Sequence, residues 1–445
     1  MTFISHWRFA LFRGYLKKER NDFEYQIDAN IVGKVEHMPV DTQDSNRRTL
    51  TTLLVFTFFM VLGFEMIMPL IIGHFVNDLL FSATAVSVAL AIRQFSQQGL
   101  AVVGGALADR YNIRTLICYG VLLRAVGFTA LAFSNTYIIL LLSMVIIGFG
   151  GVLFETPYQA AMALLTTQEN RSRYYSLYNT VVGVSGTAGP LVGILLLKFD
   201  FSMVCFGAAA CFLICFIIAC FTMPKVIRSQ KTIPILDSVK TVIRDKPFLK
   251  FALLMIVFWL AASQVNISFP LKAQDITGNE NSVGVMWSIY AAVNGALQYP
   301  LVSLMLKKHS PRQIVVLGIG LNTVSLLLIA FVHTQYWFYV TVVIFALGML
   351  FARPNQQSLA VAMADPRAMG MYLGVTSLTF AIGNGIGTII GGAFYDLTKG
   401  TSYRMAPWFI YAAVSVISLL GFALNKSLGE SNAAKSNIDT DTVHS

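Results

Sequence analysis

Long apolar runs, each closed by a short polar break, recur twelve times along this 445-residue chain. They cover about 51–73, 84–107, 114–133, 137–165, 174–197, 201–222, 248–269, 282–306, 311–332, 336–363, 369–395 and 406–425. Runs of about 20 residues are what a helix needs to cross the hydrocarbon core of a bilayer. A helix also satisfies its own backbone groups there, so no sheet is expected. The pattern predicts an all-α membrane protein with twelve transmembrane helices.

Two stretches echo each other about 197 residues apart: Phe154-Glu155-Thr156-Pro157-Tyr158-Gln159 and Phe351-Ala352-Arg353-Pro354-Asn355-Gln356. A membrane chain that repeats itself at half length predicts two pseudo-symmetric six-helix bundles around one central site. The expected domains are a basic N-terminal tail (1–50), a first bundle (51–222), a linker (223–247), a second bundle (248–427) and a C-terminal tail (428–445). Within the first tail, residues 6–18 mix aromatics with cations and suit either an amphipathic helix in the headgroup layer or a solvated tail.

Composition agrees with the runs. The chain is 56% hydrophobic and 12% charged, against about 25% charged in a soluble domain. The net charge of +10 does not signal nucleic acid, because of where it falls. With the N-terminus inside, the inner loops between spans hold fourteen Lys/Arg and the outer loops four: Lys198, Lys272, Lys399 and Arg404. That bias predicts cytoplasmic tails at both ends. The five cysteines all fall inside spans, without a Cys-x-x-Cys, and read as small buried thiols with no metal or redox role. No cofactor is expected. No Gly-x-x-x-x-Gly-Lys-Ser/Thr stretch occurs, which disfavours an ATP-driven pump.

Five ionisable residues lie deep within spans: Glu65, Arg93, Arg124, Glu155 and Arg353. Each costs on the order of 3 kcal/mol in lipid and should face a cavity or a partner. Glu65 and Arg93 lie at matching depth, as do Arg124 and Glu155, so two acid–base pairs fit the first bundle. Arg353 stands without an acid in the second. The functional reading makes Glu65 or Glu155 the proton carrier, with Arg93 and Arg124 as ion-pair or tuning partners, since burial disfavours a carboxylate's charge and a nearby Arg favours it. The plainer alternative is a static buried salt bridge. Arg353, Gln159, Gln356 and Tyr158 are candidate substrate contacts; Pro157 and Pro354 kink their spans and free backbone groups beside them.

Gly105-Ala106-Leu107-Ala108-Asp109-Arg110-Tyr111-Asn112-Ile113-Arg114 joins spans two and three. It resembles the Gly-x-x-x-Asp-Arg-x-Gly-Arg-Lys loop of the major facilitator superfamily; Gly105, Asp109, Arg110 and Arg114 match, while Asn112 and Ile113 depart. The resemblance implies that Asp109 faces the N-terminal end of span eleven near Met369 and latches the cytoplasmic side. Lys307 stands in the corresponding place of the second half, so this latch is expected on one side only. Span five carries Gly189-Pro190 followed by Gly193, which resembles in part the antiporter motif of proton-driven drug exporters. Its glycine face is expected to pack on a neighbour, span eight being the first choice. Gly189 and Pro190 join the loop residues as gating candidates.

The runs Arg93-Gln94-Phe95, Gln97-Gln98-Gly99-Leu100, Arg124-Ala125 and Arg244-Asp245-Lys246 are similar to one group within that superfamily, the twelve-span multidrug exporters of the bacterial inner membrane. The likeness covers roughly residues 55–425; the long N-terminal tail, Glu65 and Gly189-Pro190 depart from it. It implies a proton-coupled exporter of small amphipathic molecules working by alternating access, and not an enzyme; a monomer is expected. Two other readings are a dedicated exporter of one endogenous metabolite, such as a siderophore, and a transporter-like receptor or scaffold with the N-terminal tail as its partner-binding element.

Overall fold

A computed structural model describes residues 43–101, 104, 107, 111–165, 168–223, 235–279, 281–365 and 368–425. The described residues from Arg48 onward form one compact unit. The expectations for residues 1–42 of the N-terminal tail, including residues 6–18, and for the C-terminal tail lie outside the described residues, while residues 43–50 belong to a helix.

The described residues form helices and turns, without a strand. Ten helices are long and apolar enough to span a bilayer, and an eleventh span is formed by Asn281–Gln298 and Pro300–Leu306, bent by 46° at a proline. Span two is represented by Ala83–Gln94 and the wide turn Phe95–Gly99 that continues it, beyond which the chain is only partly described. Span one is Gln43–Ile67 carried on to Asp78 through a tight turn at Met68–Leu70, where Pro69 supplies no N–H. Span seven, Lys246–Thr277, is likewise interrupted by the tight turn Ser263–Asn266 and runs past the expected end near residue 269. The helix Ile235–Arg244 precedes it within the expected linker.

The packing repeats with an offset of six spans. Span three (Ile113–Leu131) packs on four (Tyr137–Leu165) and six (Phe201–Thr222); span nine (Pro311–Leu328) packs on ten (Gln335–Met363) and twelve (Ala406–Leu424). Between the halves, five (Gln168–Leu197) meets eight (Asn281–Leu306), and two meets eleven (Met369–Thr398). One buried cluster draws on residues 53–223 plus Ile267 and Leu271, and another on residues 242–422.

Glycine contacts set the register of the repeat. A Cβ added to Gly120 would lie 2.7 Å from the Gly150 carbonyl oxygen and 2.8 Å from the Phe154 nitrogen. One added to Gly318 would lie 2.7 Å from both the Gly348 oxygen and the Ala352 nitrogen. Equivalent residues in these paired spans are therefore 198 apart, one more than the Phe-x-x-Pro-x-Gln echo suggests. In that register Arg353 is the counterpart of Glu155, and Asn322 the counterpart of Arg124.

The halves also meet at the end that carries the one–two, seven–eight and eleven–twelve loops. Asn77 Nδ2 donates to Gln274 Oε1 at 2.8 Å. The Asp396 carboxylate accepts the backbone N–H groups of Ala83 and Thr84 at 3.0 and 2.8 Å, at the N-terminal end of span two.

Candidate functional site

Spans two, three and four assemble one polar chain inside the first half. Arg124 Nη2 lies 3.1 Å from Glu155 Oε1. Gln97 Nε2 donates to the same oxygen, and Arg93 Nη1 donates to Gln97 Oε1 at 2.9 Å. Arg124 is 2% exposed, so its charge depends on Glu155 and on the faces of neighbouring rings. Its guanidinium carbon stands 5.1 Å from the Phe64 ring centre and 4.7 Å from that of Phe154. The Arg93 guanidinium stands 5.3 Å from the Phe64 ring, so Phe64 is contacted by both cations.

Arg124 and Glu155 thus come together; Glu65 and Arg93 do not form an ion pair. Arg93 turns to Gln97 and Gln94 instead. Gln97 is the member that sequence reasoning missed. Its signal was its place four residues after Arg93, on one helix face. The wide turn that begins at Phe95 had no such signal; turns of that type concentrate at functional sites.

Two cavities adjoin this chain. One, of about 190 Å³, is lined by Glu65, Gln97, Arg124, Glu155, Tyr158 and Gln159 among others. The second, of about 260 Å³, lies between the halves, and its lining includes Glu65, Arg93, Trp259, Trp287, Tyr290 and Arg353. Phe64 and Glu65 line both and form the partition between them. Among the described residues no hydrogen bond or ion pair closes on the Glu65 carboxylate. The indole N–H groups of Trp259 and Trp287 have no protein acceptor among the described residues either.

Tyr158 lines the first cavity but turns its hydroxyl to span one. It lies 2.5 Å from Thr57 Oγ1 and donates to the Leu53 carbonyl at 3.2 Å. Gln356 is buried and lines neither cavity. Gly189 packs on span one rather than on span eight: a Cβ there would lie 2.8 Å from Glu65 Cβ, and one at Gly193 would run into the Met66 carbonyl oxygen. It is Gly183 that meets span eight, where a Cβ would lie 3.0 Å from Gly295 Cα. The Pro190 carbonyl oxygen also faces span eight, 3.3 Å from where a Cβ on Gly284 would sit. Span five is therefore wedged between span one and span eight, with its small residues used on both sides.

Gly105, Asp109 and Arg110 lie outside the described residues. Arg114 opens span three, and its backbone N–H bonds to Asn112 Oδ1 at 3.0 Å. Asn112, a departure from the expected loop pattern, thus serves as the helix N-cap. Sequence reasoning places a latch only in this loop; Asp396 makes a helix-end contact at the other end of the bundle.

The family model described as the Major Facilitator Superfamily matches residues 53–278 and 251–439. The chain belongs to the Major Facilitator Superfamily. This facilitator is 34% identical over 374 residues to the multidrug resistance protein MdtH of Proteus mirabilis, covering 84% of this chain and 93% of that protein. It is 31% identical to MdtH of Shigella flexneri, covering 87% and 96%. Among solved structures, the nucleoside transporter NupG aligns with a TM-score of 0.73 at 12% identity, over 84% of this chain and 99% of that one. An auto-inhibited peptide transporter of the POT family aligns at 0.72 and 13%, over 85% and 96%. These identities carry the fold alone. The facilitator is a multi-pass membrane transporter of small molecules, not an enzyme.

Proposed function

We propose that the chain is a proton-coupled exporter of small amphipathic molecules, of the multidrug type, working by alternating access as a monomer in a bacterial inner membrane with both termini cytoplasmic. The observation that carries this reading is the position of Glu65. It is an acid without an ion pair among the described residues, and it forms part of the wall between the Arg124–Glu155 pocket and the cavity between the halves. A carboxylate there exchanges a proton when the distance to Arg93, Arg353 or Arg124 changes, because each guanidinium favours the charged form and burial favours the neutral one. Glu155 is the second carrier candidate; its bonds to Arg124 and Gln97 join spans two, three and four. Arg93 and Arg124 tune the two acids. Arg353, Gln159, Gln356 and Tyr158 are proposed for substrate, and Gly105, Asp109, Arg110, Arg114, Gly189 and Pro190 for gating. The likeness to MdtH over most of both chains supports drug as the cargo.

One observation favours a second reading, a dedicated exporter of an anionic metabolite. The lining of the cavity between the halves includes two arginines, Arg93 and Arg353, against the single carboxylate of Glu65.

The deciding experiment is proton-driven uptake into inverted membrane vesicles, comparing the native chain with Glu65→Gln and Glu155→Gln. At least one variant is expected to lose proton exchange while still binding substrate. Normal exchange in both variants and in the double variant would reject these carriers. Uptake confined to one anionic compound, with a panel of neutral and cationic amphiphiles ignored, would favour the second reading.

A further inference from the structure

A third cavity, of about 370 Å³, lies wholly within the second half, at the end where the seven–eight, nine–ten and eleven–twelve loops emerge. Three of its lining side chains are cations from three separate segments: Lys272 on span seven, Lys399 at the end of span eleven, and Arg404 in the turn before span twelve. The charge bias along the chain leaves four Lys/Arg among the loops assigned to the outer side, and three of the four converge here. Among the described residues none of the three is in an ion pair. The one carboxylate in the lining, Asp275, accepts a hydrogen bond from the Tyr395 hydroxyl at 3.1 Å, and Lys399 Nζ stands 5.7 Å from the centre of the same tyrosine ring. The apolar wall is firm, with Trp408 and Tyr411 both buried in the second half's core.

We infer that this cavity binds the phosphate group of an amphipathic anion, with the aliphatic or aromatic body of the ligand against Trp408 and Tyr411. Three cations against one acid leave a surplus of positive charge at a half-apolar site, which suits a doubly or singly charged phosphate and disfavours a cation. Such a phosphate has two sources: a lipid of the surrounding bilayer, in its outer leaflet on the proposed orientation, or a soluble phosphate monoester. The site is separate from Glu65 and from the cavity between the halves, so it stands or falls independently of proton coupling.

The test uses the full chain, purified in detergent, with two probes. Native mass spectrometry counts retained phosphatidylglycerol, with phosphatidylcholine as control; titration with phenyl phosphate follows thermal stabilisation. The variants are Lys272→Gln/Lys399→Gln/Arg404→Gln, the charge-conserving Lys272→Arg/Lys399→Arg/Arg404→Lys, and Lys198→Gln, which removes the fourth outer cation away from the cavity. Affinity for at least one probe is expected to fall about tenfold or more in the first variant, and to persist in the other two. Loss for phosphatidylglycerol alone assigns the site to lipid, and loss for phenyl phosphate alone to a soluble ligand. Equal loss in the charge-conserving variant would show that the fold, not the charge, had been tested, and would count against the site. Binding of both probes that is absent in the native chain, or unchanged by removing the three cations, overturns it.

Discussion

The Asp396 carboxylate caps the first turn of span two, accepting the Thr84 backbone N–H at 2.8 Å and the Ala83 N–H at 3.0 Å across the interface between the halves. A carboxylate at a helix N-terminus satisfies orphan donors and meets the positive end of the helix dipole. We propose the same relation between Asp109 and the start of span eleven, at the opposite end of the same helix pair, as the family resemblance implies. Spans two and eleven would then each offer an acid to the other's first turn.

Asp396→Ala is expected to weaken closure at that end by about 1 kcal/mol, the usual scale for loss of a helix cap. Spin labels on the one–two and seven–eight loops, read by double electron–electron resonance, should show a larger share of long distances. An unchanged distance distribution would remove Asp396 from gating.

The two acids differ in what they leave behind. Glu155→Gln strands the buried Arg124 guanidinium and is expected to lower stability by roughly 3 kcal/mol. Glu65→Gln strands no ion-pair partner and should cost clearly less. Thermal unfolding in detergent separates them: a large loss of Tm for Glu155→Gln beside a small one for Glu65→Gln.

Glycines in span five should rank by what a methyl group would meet. Gly193→Ala and Gly189→Ala press on the span-one backbone at Met66 and Glu65, and overpacking of that kind costs about 1–3 kcal/mol. Gly186→Ala finds its nearest neighbour at 3.7 Å and should be tolerated. Transport and melting temperature of the three variants check the order; Gly189→Ala should also disturb proton exchange, because it moves Glu65.

Arg353→Gln removes one of two guanidiniums from the cavity between the halves. Affinity for an anionic substrate is expected to fall about tenfold or more, with neutral amphiphiles little affected. Competition assays with a matched acid and its ester read the difference.

The membrane fold was legible because its signal, length and hydropathy of runs, is set by bilayer thickness. Eleven of twelve expected spans pass as single or bent membrane helices, and span two appears as far as it is described. The meeting of Arg124 with Glu155 was legible from depth alone, since facing helices bring equal depths together. What depth could not resolve was rotation about the helix axis. Glu65 and Arg93 share a depth, yet Arg93 turns toward Gln97. Nor could it rank small residues: Gly183 and Gly189 lie on one short stretch but pack on opposite neighbours, spans eight and one. The Phe-x-x-Pro-x-Gln echo identified the duplication at a spacing of 197, one short of the spacing that relates Asp109 to Lys307. The contacts of Gly120 and Gly318, which admit no side chain, fix it at 198.

Where spans five and eight cross, Gly183 and Gly295 put bare backbone against bare backbone. Further along the same crossing the Ile194 side chain presses on Gly284, and Ser288 Oγ donates to the Thr187 carbonyl at 3.1 Å. The crossing is thus smooth at one end and meshed at the other, and any roll of the two helices would pivot about the meshed end.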